Sequence, residues 1–305
     1  MTLAAEGWGG HNKVYRLETS VGSFAIKRYG RRPADVDGAA FGVEMAALDG
    51  GVPMARPVAT VDGRCWEEID GTLFRCHSWV EGAAKENEQA SVADAAAMGR
   101  IVGHLHTLAI PTPGVRPVRP PGPDKWHELI SAGKARDAIW ATRLAEAFDQ
   151  VVDVSGQPRP VDLGAGELVG SHRDLNAHNV LFSAGGLYLI DWDAAGPAWP
   201  RWERADFALR WAERAGGFYE EEAVVAFLRG YREGGGEIDD EDPSVLAAAA
   251  PALVPWVLQN VELAIEQPGN DVQDGLAGAL VDAPLCMPTR VAARQAILRR
   301  CLKRA

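Results

Sequence analysis

Through residue 80 the chain alternates apolar and polar positions with the two-residue period of half-buried strands. Val14-Tyr15-Arg16-Leu17-Glu18-Thr19, a turn at Val21-Gly22-Ser23, and Ser23-Phe24-Ala25-Ile26-Lys27 predict a β-hairpin. A helix is expected over 35–49, stopped by Gly50-Gly51, with further strands at 59–61, 65–67 and 72–79. After Val80-Glu81-Gly82 the period changes. Met98, Ile101, Val102, Leu105 and Leu108 recur at helical spacing and predict an amphipathic helix over 91–109. A Pro-rich, arginine-bearing connector covers 111–123, and helices are expected near 124–150, 201–214, 220–233, 244–266 and 289–302. No internal repeat is evident. The pattern predicts an α+β chain with a small β-rich lobe over 1–82 and a larger helical lobe over 83–305.

Composition narrows the class. The 305 residues are 47% hydrophobic and 24% charged, enough for a large core in one or two domains. The longest apolar runs fall short of a membrane span, and the N-terminus lacks the basic-then-apolar pattern of a secretory signal. Cys65, Cys76, Cys286 and Cys301 are scattered without CxxC pairing, as reduced structural thiols are. A cytoplasmic protein is the expectation, monomeric or a homodimer, with no membrane partner. The net charge of −11 argues against a nucleic-acid partner, which needs a basic surface, and is compatible with attracting a cationic small molecule.

Chemistry concentrates in residues 170–193, GSHRDLNAHNVLFSAGGLYLIDWD. His172-x-Asp174 is followed by Asn179, two strand-like runs and Ile190-Asp191-Trp192-Asp193. Phosphoryl transfer from a nucleotide needs a group to take the acceptor hydroxyl's proton and oxygen ligands for magnesium. Asp174 suits the first role, and Asn179 and Asp191 the second. For an isolated His-x-Asp triplet the competing reading is a turn whose polar side chains cap backbone groups. His172 and His178 do not make a zinc site, which would need more partners.

This order resembles the catalytic and metal loops of the protein-kinase-like fold. The Asp-Trp-Asp ending is similar to the aminoglycoside phosphotransferase and choline kinase group of small-molecule kinases. One departure is Arg173, where that group usually has glycine. No activation-loop stretch ending in Ala-Pro-Glu follows, so the implied acceptor is a small molecule. The resemblance implies a bilobal architecture and ATP or GTP as donor. Ala25-Ile26-Lys27 resembles the family strand whose lysine meets the phosphates, and Glu44 stands where the fold supplies that lysine's carboxylate partner. Gly9, Gly10 and Asn12 fall in a glycine cluster whose amides can face phosphate, although most such clusters are ordinary turns. His77–Gly82 resembles the hinge that holds the base through main-chain groups, here the Ser78 carbonyl and the Val80 amide. His172 is expected to brace the loop, as is Asp206. Asn176 either touches the transferring phosphoryl or caps backbone.

The acceptor is expected to be a hydroxyl compound carrying positive charge, met by Asp193 and by Glu262, Glu266 and Asp271 late in the chain. A solvated helix face is the competing reading of those last three. The leading function is inactivation of an aminoglycoside or basic peptide antibiotic. Its rivals are a metabolic kinase for an amino sugar, choline or homoserine, and a kinase-like binding module without activity.

Overall fold

The computed structural model describes residues 2–3, 12–30, 38–112, 121–157, 168–238 and 243–305. Its opening strands are β1 (Thr2–Leu3), β2 (Lys13–Thr19) and β3 (Gly22–Arg28), followed by helix α1 (Ala39–Asp49). Then come β4 (Pro57–Val58), β5 (Glu67–Ile69) and β6 (Thr72–Ser78). The six strands pair antiparallel in the order β1-β2-β3-β6-β4, with β5 on β6. The predicted hairpin is β2–β3. The strands expected at 59–61 and 65–67 form instead at 57–58 and 67–69, because pairing to β6 decides their register.

Ser91 caps α2 (Val92–Thr107): its hydroxyl accepts the Asp94 amide at 3.1 Å, and the Asp94 carboxylate accepts the Ser91 amide at 2.9 Å. The helix expected over 124–150 is three shorter ones, α3 (Pro123–Lys134), α4 (Ile139–Glu146) and α5 (Phe148–Gly156). Asp137 adopts a left-handed backbone, φ 55°, that breaks the first from the second. The segment 169–198 carries β7 (Val169–Ser171), the hairpin β8 (Val180–Ser183) and β9 (Gly186–Leu189), and β10 (Gly196–Ala198) paired to β7. Helices α6 (Pro200–Arg210), α7 (Glu221–Glu233), α8 (Ala249–Glu266) and α9 (Asp271–Leu302) follow. Helix α9 begins well before the expected 289, since Ala277, Val281 and Met287 bury against a shared core despite Gly275 and Gly278 in the same stretch.

The chain divides into two compact units: 1–115 with 168–241 and 301–305, and 116–167 with 242–300. The expected lobe boundary at 82 lies inside the first unit. There the sheet region is bonded to the β8–β9 hairpin, the Ala55 amide to the Leu189 carbonyl at 3.1 Å and the Leu189 amide to that of Pro53 at 2.9 Å.

In the first unit α2 and α7 touch backbone to backbone. A Cβ at Gly99 would stand 2.0 Å from the Phe227 carbonyl oxygen, and one at Gly103 2.1 Å from that of Tyr231. Gly230 meets Ala96 and Gly234 meets Arg100 in the same way. Beside this crossing, buried His106 bonds the Tyr231 hydroxyl at 2.9 Å and Glu203 of α6 at 2.7 Å. The core of the second unit gathers Trp126, Trp140, Leu144, Val254 and Val261. Arg136 donates to the carbonyls of Ala264 and Ile265, both at 2.8 Å, closing the end of α8. Among the described residues one helical segment, Val245–Glu266, has the length and mean hydropathy (1.3) to cross a membrane. Over half of it, 56%, is buried, as in a core helix.

Candidate active site

Strand alternation builds one wall. Lys27 on β3 and Arg75 on β6 are directly opposite in the ladder and so share a face, with Tyr29 and His77 two residues further along each strand. Two like charges across a ladder repel, and carboxylates from elsewhere neutralise them. Asp193 stands between: its Oδ2 accepts from Lys27 Nζ at 2.7 Å, its Oδ1 accepts from the Tyr29 hydroxyl at 2.6 Å, and Arg75 Nη1 is 3.6 Å from Oδ1. Glu44 of α1 is fully buried and accepts from Arg75 Nη2 and, at 2.9 Å, from His77 Nε2.

The expected Lys27–Glu44 pair is therefore replaced. Arg75 reaches the Glu44 carboxylate from the same sheet face, and Lys27 finds its counter-charge in Asp191, Nζ to Oδ1 2.7 Å, and Asp193. Burial opposes charge on Glu44, but the His77 and Arg75 bonds hold its carboxyl below the ordinary range. Burial likewise opposes Lys27, and its two aspartates still raise it. Burial and the Asp193 charge together push the Tyr29 hydroxyl well up, keeping it a proton donor.

The loop that carries His172, Asp174 and Asn179 lies between β7 and β8. The His172 ring is fixed by function-neutral bonds: Nε2–H donates to the Ile190 carbonyl at 2.9 Å, and Nδ1 accepts the Asp174 amide at 3.4 Å. It braces the two Asp-bearing segments against each other. Arg173 has φ 67° and Asp191 φ 61°, both left-handed. That backbone is the physical reason glycine suits the position of Arg173, and aspartate is one of the few other residues that visit it readily. The half-buried Asp174 carboxylate is held at both oxygens. Asn176 donates to Oδ1, and Asn179 Nδ2 donates to Oδ2 and to the Asp174 carbonyl, each at 2.8 Å. With its amide nitrogen so committed, Asn179 keeps an oxygen for another partner. Burial opposes charge on Asp191, yet Lys27 depresses its carboxyl, so it is anionic at neutral pH. Asp206 braces, as expected, accepting from Arg210 Nε at 2.5 Å.

Other expected residues sit as follows. Gly9 and Gly10 lie outside the described residues. Asn12 Oδ1 accepts from the Gly30 amide at 3.4 Å, just past β3. Ser78 ends β6, its amide donating to the Arg56 carbonyl at 2.7 Å, and Val80 follows outside the strand. Gly82 then lets the backbone approach Phe182, whose carbonyl oxygen would lie 2.9 Å from an added Cβ. Asp193 is turned to Lys27, Tyr29 and Arg75. Glu262 pairs with Lys125 at 3.3 Å in the second unit, where Glu266 is exposed one turn on and Asp271 opens α9. The roles of Tyr29, Arg75, Asn87 and Arg210 went unread. The first two share the strand period with Lys27, which is a signal only once β3 and β6 are known to pair.

The description "phosphotransferase enzyme family" belongs to the family model that matches residues 3–239. No curated protein matches the chain. Among solved structures, a spectinomycin phosphotransferase in complex with ADP and spectinomycin superposes with a TM-score of 0.65 at 14% identity, over 94% of this chain and 92% of that one. An amicoumacin kinase in complex with AMP-PNP and Ca2+ gives 0.62 at 16%, over 93% and 87%. A choline kinase from Cryptosporidium parvum gives 0.55 at 13%, over 95% and 89%.

Proposed function

The chain belongs to the phosphotransferase enzyme family, and we propose that it moves the γ-phosphoryl group of a nucleotide to a hydroxyl of a small cationic molecule, with antibiotic inactivation as the leading role. The observation that carries this is the Asp174 carboxylate, held at one oxygen by the side-chain amide of Asn176 and at the other by that of Asn179. In the reaction the acceptor oxygen bonds to the γ-phosphorus as the bond to the bridging oxygen of the nucleoside diphosphate breaks. The electron pair leaves with the diphosphate, and the hydroxyl proton passes to Asp174. Much of the acceleration is positioning, which the two amides on Asp174 supply.

The donor set fits magnesium: a carboxylate on Asp191 and an amide oxygen on Asn179, both hard oxygen ligands. Among the described residues no cluster of three or more His, Cys, Asp and Glu is arranged to hold a metal alone. That accords with a cation that completes its shell with phosphate and water. Bound there, magnesium would neutralise charge on the transferring phosphates. Lys27, held by Asp191 and Asp193, is the residue to meet the α- and β-phosphates, with Ser78 and Val80 main-chain groups on the base.

The cationic acceptor rests on the net charge of −11 and on the aminated compounds named for the similar structures. A choline-type metabolic kinase is the second reading, favoured by the likeness to choline kinase. Four free cysteines accord with a reducing, cytoplasmic setting. The test is a panel of aminoglycosides, spectinomycin, basic peptides, choline, amino sugars and neutral sugars with MgATP and MgGTP, read by diphosphate release. Phosphorylation of aminated antibiotics, lost roughly 10²–10⁴-fold in Asp174→Asn, is expected. Transfer only to choline-type alcohols selects the second reading. A folded Asp174→Asn with the wild-type rate sinks the mechanism.

A further inference from the structure

Asn87 lies far from the catalytic loop in sequence, on the short turn Asn87–Gln89 that follows the expected hinge, yet its side chain bonds the loop twice. Its Oδ1 accepts the Ala177 amide at 2.6 Å, and its Nδ2 lies 3.4 Å from Asn176 Oδ1. Arg210 Nη1 donates to that same Asn176 oxygen at 3.2 Å. Asn176 then donates to Asp174.

The direction of every amide in this chain follows from chemistry alone. A backbone N–H only donates, so the Asn87 atom facing Ala177 is oxygen, and its other branch is NH2. That NH2 needs an acceptor, so Asn176 presents oxygen to Asn87. Arg210 has no acceptor capacity, so it demands the same orientation. Asn176 is left with NH2 toward the carboxylate of Asp174, which only accepts. Orientation is passed from the Ala177 amide to one oxygen of the base.

We propose that Asn87 is a positioning residue: together with Arg210 it sets which way the side-chain amide of Asn176 faces and thereby the hydrogen bond on Asp174, so that an acceptor in place of its NH2 would reverse that amide. The proposal rests on the reading of Asp174 as the base. Asn87 is held in place by its neighbours in turn. Gln89 Oε1 accepts the Glu86 amide at 3.0 Å, and Ala83 pairs with Phe182 through bonds of 3.2 and 2.9 Å.

The test compares Asn87→Asp with Asn87→Ala. The aspartate is isosteric and keeps an acceptor for the Ala177 amide, so a merely structural role predicts that Asn87→Asp is the milder change. Orientation control predicts the reverse. A second carboxylate facing Asn176 draws its NH2 away from Asp174, whereas Asn87→Ala leaves Arg210 to hold the correct orientation. With MgATP and the best acceptor of the panel, or water if none is turned over, kcat should fall at least about tenfold in Asn87→Asp. In Asn87→Ala it should fall only about twofold, and KM for MgATP should stay within about twofold in both. In the full chain labelled with nitrogen-15 asparagine, the amide proton pair that vanishes in Asn176→Ala should shift in Asn87→Asp. A pair unmoved in Asn87→Asp overturns the proposal, and so does a kcat for Asn87→Asp equal to or above that of Asn87→Ala. If Asp174→Asn is itself fully active, the base reading has failed, and the amide spectrum still decides whether Asn87 orients Asn176.

Discussion

Arg75 donates to Glu44 beneath the sheet and so takes the carboxylate that the fold ordinarily gives to the phosphate-binding lysine. Negative charge reaches Lys27 from the other direction, through Asp193, which also neutralises Arg75. Glu44, Arg75, Asp193 and Lys27 thus form a chain of alternating charge that ties α1 and the sheet to the segment after β9.

Glu44→Gln should cost about 3 kcal/mol of stability at pH 7, because it leaves the buried Arg75 guanidinium only its longer contact with Asp193. The sign with pH follows from the depressed carboxyl. Glu44 stabilises fully above its unfolded value near ~4.3, and that contribution is lost as pH falls through the lower folded value. The difference between wild type and Glu44→Gln in urea unfolding should therefore be largest near neutral pH and shrink below about pH 4. Nucleotide KM should change less than in Lys27→Ala, since Lys27 keeps both aspartates. A difference that grew on acidification would rule this pairing out.

Asp191→Ala and Asn179→Ala should separate by what they lose. Asp191 carries full charge to a cation, so its removal should abolish magnesium-dependent nucleotide binding, while nucleotide binding in a chelator changes little. Asn179 also donates to Asp174, so Asn179→Ala should lower kcat by about tenfold or more beyond any loss of binding. Calorimetric titration of MgATP, with and without chelator, beside turnover, distinguishes them. Unchanged magnesium dependence in Asp191→Ala would remove the metal role.

Strand and helix periods made the hairpin β2–β3, the helix α2 and the Asp174-Asn179-Asp191 order legible, because each is a local pattern. The partner of Lys27 was not legible. It depends on which strand pairs with β3 and on Asp193 crossing to the sheet, both tertiary facts. Asn87 carried no signal at all, since a lone polar residue in an acidic loop reads as solvated. Helix α9 was half-missed for the opposite reason: glycines weaken the local helical pattern of 271–288, and burial of Ala277 and Val281 outweighs it.

Two glycines, one in the α2–α7 crossing and one in α9, give substitutions of opposite sign. At Gly103 an added Cβ would lie 2.1 Å from a backbone oxygen of α7, so Gly103→Ala should push the helices apart and cost about 1–3 kcal/mol. Gly278 sits in α9 with nothing within 4 Å of an added Cβ, so Gly278→Ala should stabilise by about 0.5–1 kcal/mol through helix entropy alone. Thermal unfolding of the pair tests this, and a neutral Gly103→Ala would show that the helices do not meet at that distance.

Acceptor recognition should depend on salt. A chain of net charge −11 draws a polycation mainly through long-range attraction, and the screening length falls severalfold between ~0.05 and ~0.5 M salt. The acceptor's KM should therefore rise across that range while kcat at saturation holds. The residues proposed to share in this are Glu262, Glu266 and Asp271. Of these, Glu262 pairs with Lys125 at 3.3 Å. Glu266→Gln and Asp271→Asn should each raise the acceptor's KM more than that of the nucleotide. A neutral acceptor would show little response to salt, and a KM flat from low to high ionic strength, with neutral sugars phosphorylated well, would discard the cationic reading while leaving phosphoryl transfer by Asp174 intact.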